Sequence, residues 1–158
     1  MRRHRGTRRG GFSLLEVVIV VAIIAILAAI GIPRMSRGAR GASDSALSGD
    51  LATLRNAVDL YAAEHTGVYP DAADPNKQIT QYTDATGGVS ATKDATHIYG
   101  PYLRAIPPLP VGAKKASTKI AAADAAGVGW IYNKTEGTVK ANTTASEKDE
   151  AGKLYSDY

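Results

Sequence analysis

Hydrophobic positions follow two different patterns along the first half of the chain. From Phe12 to Ile32 nearly every side chain is apolar, and Val17 to Ile32 contains no polar side chain. Beyond Pro33 the apolar residues thin to a stripe. Leu47, Leu51, Leu54, Val58 and Tyr61 step by four, three, four and three, with Asp50, Arg55, Asp59 and Glu64 mostly elsewhere. That spacing marks one face of an α-helix. Pro33 removes one backbone hydrogen bond and bends a helix rather than ending the pattern. Gly38, Gly41 and Gly49 weaken the middle. The pattern predicts one long helix over roughly 12–66, with a soft zone near Pro33 to Ser43. Gly67 is the stop signal, and Pro70 follows it.

The stripe needs a cover, and the residues after the helix are the candidate. The strongest strand signals are Gly129 to Asn133 and Thr138 to Asn142, joined by Lys134-Thr135-Glu136-Gly137. A four-residue link ending in glycine suits a hairpin. Trp130 and Tyr132 would share one face, and Ile131 would take the other. A third short strand is predicted near Lys153 to Tyr155. Ile106-Pro107-Pro108-Leu109-Pro110 must be extended. Residues 71–96 lack periodicity and read as a long surface loop. Four regions result: a basic leader over 1–11, an apolar helix over 12–32, its amphipathic continuation over 33–66, and a small globular region over 67–158.

The apolar stretch is long enough to cross a bilayer. At a rise of ~1.5 Å per residue its 21 residues span ~31 Å. Few core helices are apolar on every face. Charge supplies an orientation. Arg2, Arg3, Arg5, Arg8 and Arg9 precede the span, whereas Arg34, Arg37 and Arg40 follow it, so the N-terminus should stay cytoplasmic. The same cluster explains the overall excess of 19 Lys and Arg over 15 Asp and Glu. Without residues 1–11 the balance is 14 to 15, and no nucleic-acid partner is expected from it. There is no cysteine, which removes disulfides and thiol chemistry. No motif for nucleotide binding or hydrolysis occurs, and no catalytic residue is assigned. His65, beside Glu64, suits a helix-end role. The tyrosines and Trp130 suit core packing rather than stacking on bases.

The order of the first segments is inverted relative to an ordinary secretory signal, whose cleavage site follows its apolar region. Here Gly10-Gly11 precedes it. Glu16 then stands out, because a carboxylate in an apolar helix is costly near the bilayer centre and cheaper near its edge. A plain signal anchor gains nothing from this residue. If Phe12 became the mature N-terminus, its free amine could pair with Glu16 of a neighbouring copy, and pairing would favour self-association.

Arg9-Gly10-Gly11-Phe12-Ser13-Leu14-Leu15-Glu16-Val17 resembles the class III signal of type IV pilins and type II secretion pseudopilins. In that family a prepilin peptidase cuts after the glycine, and the new N-terminal residue is methylated. The resemblance implies cleavage between Gly11 and Phe12, methylation at Phe12, assembly through Glu16 and a bend at Pro33. Asp59-Leu60-Tyr61, Val68-Tyr69-Pro70, Gly100-Pro101-Tyr102-Leu103 and the Trp130 hairpin are similar to segments of major pseudopilins. Major pseudopilins commonly hold a calcium ion near the C-terminus. Glu147, Asp149, Glu150 and Asp157 offer oxygen ligands here, although their order does not match that loop. A solvated acidic tail, partly offset by Lys148 and Lys153, is the other reading, and no cofactor is assigned.

Pattern and resemblance together imply an α+β, pilin-like fold, with the exposed half of a long N-terminal helix packed on a small antiparallel C-terminal sheet. The implied function is a structural subunit of a type II secretion pseudopilus or type IV pilus-like filament. The implied partners are copies of itself, other pilins or pseudopilins, prepilin peptidase, an inner-membrane assembly platform and the lipid bilayer. The implied location is the bacterial inner membrane, with the C-terminal domain periplasmic or at the cell surface after assembly. Two alternatives remain: a DNA-uptake or adhesive pilin of the same build, and a monomeric membrane-anchored binding domain. Their signatures would be a positive groove and an uncleaved N-terminus.

Overall fold

A computed structural model describes residues 11–158, the side chains of residues 32–37 excepted. The chain divides into two compact units, with the boundary between Gly38 and Ala39. Helix α1 is Leu14–Glu64, two residues shorter at each end than the periodicity predicts. Pro33 and the three weakening glycines lie inside its span. The bending role implied for Pro33 rests on a side chain outside the described residues.

In the second unit the stripe becomes core. Leu47, Leu51, Leu54, Val58 and Tyr61 are all buried, and burial of each such side chain contributes about 1.5–3 kcal/mol. The helix ends in a left-handed reversal. The Gly67 amide donates to the Ala62 carbonyl at 2.8 Å, the six-to-one bond that closes many helices. Thr66 has φ 56° and Gly67 has φ 84°, so the reversal begins one residue before the glycine that signals it. His65 is buried at this corner. Its Nδ1 lies 2.9 Å from the Tyr61 carbonyl oxygen in the last turn. Its Nε2 lies 2.9 Å from the Asp84 carbonyl oxygen and 3.2 Å from Thr83 Oγ1. The ring thus occupies a helix-end position and also ties the helix to the segment beyond it.

Residues 71–96 are not one loop. They contain helix α2, Pro75–Thr80, and a two-stranded antiparallel ladder of β1, Tyr82–Thr83, with β2, Val89–Ser90. The start of α2 was legible in Asp74-Pro75. Asp74 accepts the Lys77 amide at 3.3 Å, and proline occupies the first turn, where its missing N–H costs nothing. Periodicity could not reveal an element this short.

The second sheet has the order β3 (Lys119–Ala121), β4 (Val128–Asn133), β5 (Thr138–Ala141). The predicted hairpin is present: β4 and β5 are antiparallel, with Asn133 opposite Thr138 and Tyr132 opposite Val139. Trp130 and Tyr132 are fully buried, and Ile131 is half-buried. The third strand differs from expectation in place and direction. Residues near Lys153 to Tyr155 form one bridge, Lys148 with Leu154, and a 3-10 turn over Tyr155–Asp157. The added strand is β3, and it runs parallel to β4, so the sheet is mixed rather than purely antiparallel. A parallel neighbour ordinarily needs a long crossover. Here three residues extend only ~10 Å, and residues 122–127 suffice to bring the chain back. The outer edge of β3 is covered by Asn76 of α2. Its Oδ1 accepts the Ile120 amide at 2.8 Å, and its Nδ2 donates to the Ile120 carbonyl at 2.9 Å. One side chain therefore imitates a neighbouring strand.

The proline-rich stretch is extended as expected and is far from inert. Leu109 is fully buried, and the Trp130 indole N–H donates to the Pro107 carbonyl at 2.8 Å. The acidic tail is docked rather than simply solvated. The Tyr155 hydroxyl donates to Asp44 at 2.8 Å, and the Tyr158 hydroxyl donates to Asp149 at 2.6 Å. Arg55 of α1 joins helix, sheet and tail, donating to the Val139 carbonyl at 3.0 Å and the Tyr158 carbonyl at 2.6 Å.

Candidate functional site

The first unit contains Gly11, Phe12, Glu16 and Pro33, the positions expected to serve processing and assembly. Ser13 starts α1: its hydroxyl accepts the Leu15 amide at 3.3 Å, and its carbonyl accepts the Val17 amide at 3.2 Å. Ser13-Leu14-Leu15-Glu16 is the serine-to-glutamate spacing of a capping box, a signal the sequence reading overlooked. Glu16 therefore lies in the first turn of α1, where the helix's partial positive charge favours a carboxylate. Phe12 precedes that turn and is 84% exposed. Phe12, Glu16, Val17, Val20 and Val21 line one shallow apolar concavity on the helix surface. The acid and the proposed new N-terminus are thus one turn apart on the same side.

Gly11 has ordinary backbone geometry, and a Cβ added there meets no described atom within 4 Å. Arg9 and Gly10, the rest of the implied recognition sequence, lie outside the described residues. Leu14–Gly31 is long and apolar enough to cross a membrane, with a mean hydropathy of 3.0 and none of the window buried. Its large side chains, from Leu14 to Ile30, are about half or more exposed. Exposed apolar surface of this extent is rare on monomeric soluble proteins and marks membrane or protein contact.

The four acids named for calcium do not converge. Glu147 accepts the Ala113 amide at 2.5 Å through Oε1 and the Thr144 amide at 2.7 Å through Oε2. The Thr144 amide first, and then the Ala113 amide, hold its carboxyl below the usual range against the opposing effect of burial. Asp149 accepts the Tyr158 hydroxyl and, at 2.8 Å, the Lys153 amide. Asp157 accepts the Ser156 hydroxyl at 3.3 Å, and Glu150 approaches Asp44 through its backbone amide. Among the described residues, no group of three or more His, Asp or Glu side chains is arranged to hold a metal.

Comparison with known proteins bears on the first unit. Residues 2–32 match the family model described as the prokaryotic N-terminal methylation motif. The chain therefore carries a class III signal, the kind typical of type IV pilins and pseudopilins. No curated protein and no solved structure matches the chain.

Proposed function

We propose that this chain, a pilin-like substrate of prepilin peptidase by its signal, is a structural subunit of a type II secretion pseudopilus or type IV pilus-like filament. A peptidase cuts between Gly11 and Phe12, and the freed amine of Phe12 is methylated. The subunit is held in the bacterial inner membrane by α1 with its N-terminus on the cytoplasmic side, and an assembly platform then transfers it into the filament. The second unit is left on the periplasmic or outer face.

The observation that carries this reading is the exposed apolar stretch Leu14–Gly31 of α1, whose first turn contains Glu16 within the matched signal. In lipid the apolar side chains are satisfied and the carboxylate is not. In a bundle of such helices the apolar contacts are replaced by similar ones, and the net gain from them is small. The pairing of Glu16 with a neighbour's Phe12 amine then supplies direction and register, because an ion pair at one depth fixes the stagger between helices. The helix dipole eases the burden on Glu16 within its own chain but opposes the cationic amine of Phe12 at the same helix end, so the intermolecular pair keeps its advantage.

Replacing Glu16 with Ala separates processing from assembly. Cleavage and methylation should persist, seen as an N-terminal methylphenylalanine by mass spectrometry, while filament yield falls at least tenfold, which corresponds to about 1.4 kcal/mol per pair. Wild-type filament yield from this variant would remove the pairing, and an intact Met1 in a peptidase-positive host would remove the filament reading itself.

A further inference from the structure

Major pseudopilins, which this chain resembles, commonly hold a calcium ion near the C-terminus, where it would fasten the loops; here Glu147 and Asp149, two of the acids named for it, bond to protein groups instead. We propose that the Lys114 ammonium does this work instead, as a cation built into the chain. Three segments distant in sequence meet at it: residues 112–114, Asp124 ahead of β4, and residues 142–147 after β5. Lys114 Nζ pairs with Asp124 Oδ1 and donates to Asn142 Oδ1 at 3.1 Å. Asn142 is buried and is fixed from its other side, its Nδ2 donating to Asp124 Oδ1 at 2.9 Å and to the Val128 carbonyl at 2.7 Å. Its backbone amide donates to the Gly129 carbonyl at 2.9 Å. Carboxylate, carboxamide and ammonium thus form a closed triangle in which each member touches the other two.

The chemistry of the donors fits an ammonium and does not fit a divalent ion. A carboxylate oxygen and a carboxamide oxygen are hard donors of the kind calcium takes, but two suffice for an ammonium with three protons, whereas calcium needs several more. A further carboxylate on these loops, Glu147, has turned its oxygens to the Ala113 and Thr144 amides. It fastens the same loops from the other side, lying over Gly112, where an added Cβ would sit 3.0 Å from Oε2. Thr143 Oγ1 is buried among the described residues without a hydrogen-bond partner, and one lone hydroxyl does not complete a metal shell. A tethered cation differs from a bound one in a testable way: it cannot be diluted or chelated away.

The test uses the full chain in detergent micelles, with thermal unfolding followed by the fluorescence of Trp130, the single tryptophan. Wild type should melt at the same temperature in calcium and in excess chelator. Lys114→Met should melt lower, and protease should cut its 142–158 segment several-fold faster, whereas Lys114→Arg should keep most of the protection. A wild-type midpoint that falls on chelation would overturn the proposal without needing any variant to fold. So would a Lys114→Met chain as resistant to protease as wild type. An intact mass short by one ammonia would also overturn it, since Lys114 Nζ would then have displaced Asn142 Nδ2 to form an amide, and the link would be covalent rather than ionic.

Discussion

Two glycines show how one residue type meets opposite demands. Gly137 closes the β4–β5 hairpin at φ 66°, and a Cβ there would collide with the Tyr69 ring. Both the left-handed backbone and the lack of space exclude a side chain. Gly49 lies exposed on α1, and a Cβ there would meet nothing within 4 Å. Gly137→Ala should therefore destabilise the second unit by about 1–3 kcal/mol, whereas Gly49→Ala should stabilise it by about 0.5–1 kcal/mol. Urea denaturation read by Trp130 fluorescence distinguishes the two signs, and a stabilising Gly137→Ala would refute the assigned turn. Thr66 raises the same conformational question at the end of α1. There a β-branched residue accepts φ 56°, and exchange with Gly67, itself at φ 84°, would only move that side chain to another left-handed position.

At the scale of elements, legibility tracked length and pattern. Helix α1 and the β4–β5 hairpin repeat their signal over several turns or alternations, so Leu47 to Tyr61 and Trp130 to Asn133 could be read directly. The span and its acid were legible for the same reason, since Glu16 interrupts a uniform background. By contrast α2 has six residues and β3 has three, too few for a period to appear. Strand β3 is also defined by partners that sequence order does not reveal, β4 on one edge and Asn76 on the other. The Lys114, Asp124 and Asn142 triangle was invisible because no spacing rule joins those positions. The edge mimicry by Asn76 has a measurable worth. Asn76→Ala would leave the Ile120 amide and carbonyl without their partner, and unsatisfied backbone groups cost about 1–3 kcal/mol. Asn76→Asp can still accept from the Ile120 amide but cannot donate to its carbonyl, so it should fall between the two in denaturation midpoint. Equal stability of all three would show that the edge needs no cover.

At the scale of the whole molecule, ionisation sets the limits of the folded second unit. Several carboxyls are held below their usual range: Asp71 by the Lys134 hydrogen bond, Asp84 by the Thr86 hydroxyl, Asp124 by Lys114 and Asp149 by the Tyr158 hydroxyl. Such groups add stability above the unfolded carboxyl range, and it is lost as pH falls through their lowered values. The phenols of Tyr155 and Tyr158 are pushed up to about 12, Tyr155 by burial and then by Asp44, and Tyr158 by Asp149. Their contribution is complete below the ordinary phenol value of about 10 and vanishes as pH rises through about 12. Stability should thus be flat from about pH 5 to pH 9 and decline at both ends. On the alkaline side, protease should reach the 142–158 segment before Trp130 becomes exposed; simultaneous loss would show that tail docking and core are one cooperative unit. The order in which these contacts become possible has its own consequence. Arg55 reaches Val139 across 84 positions, and Asp44 reaches Glu150 and Tyr155 across 106 and 111. A chain synthesised from its N-terminus presents the stripe of α1 long before anything exists to cover it. Completion of the domain is thus a late event in time, and the interval before the hairpin emerges is when a chaperone or protease has its opportunity.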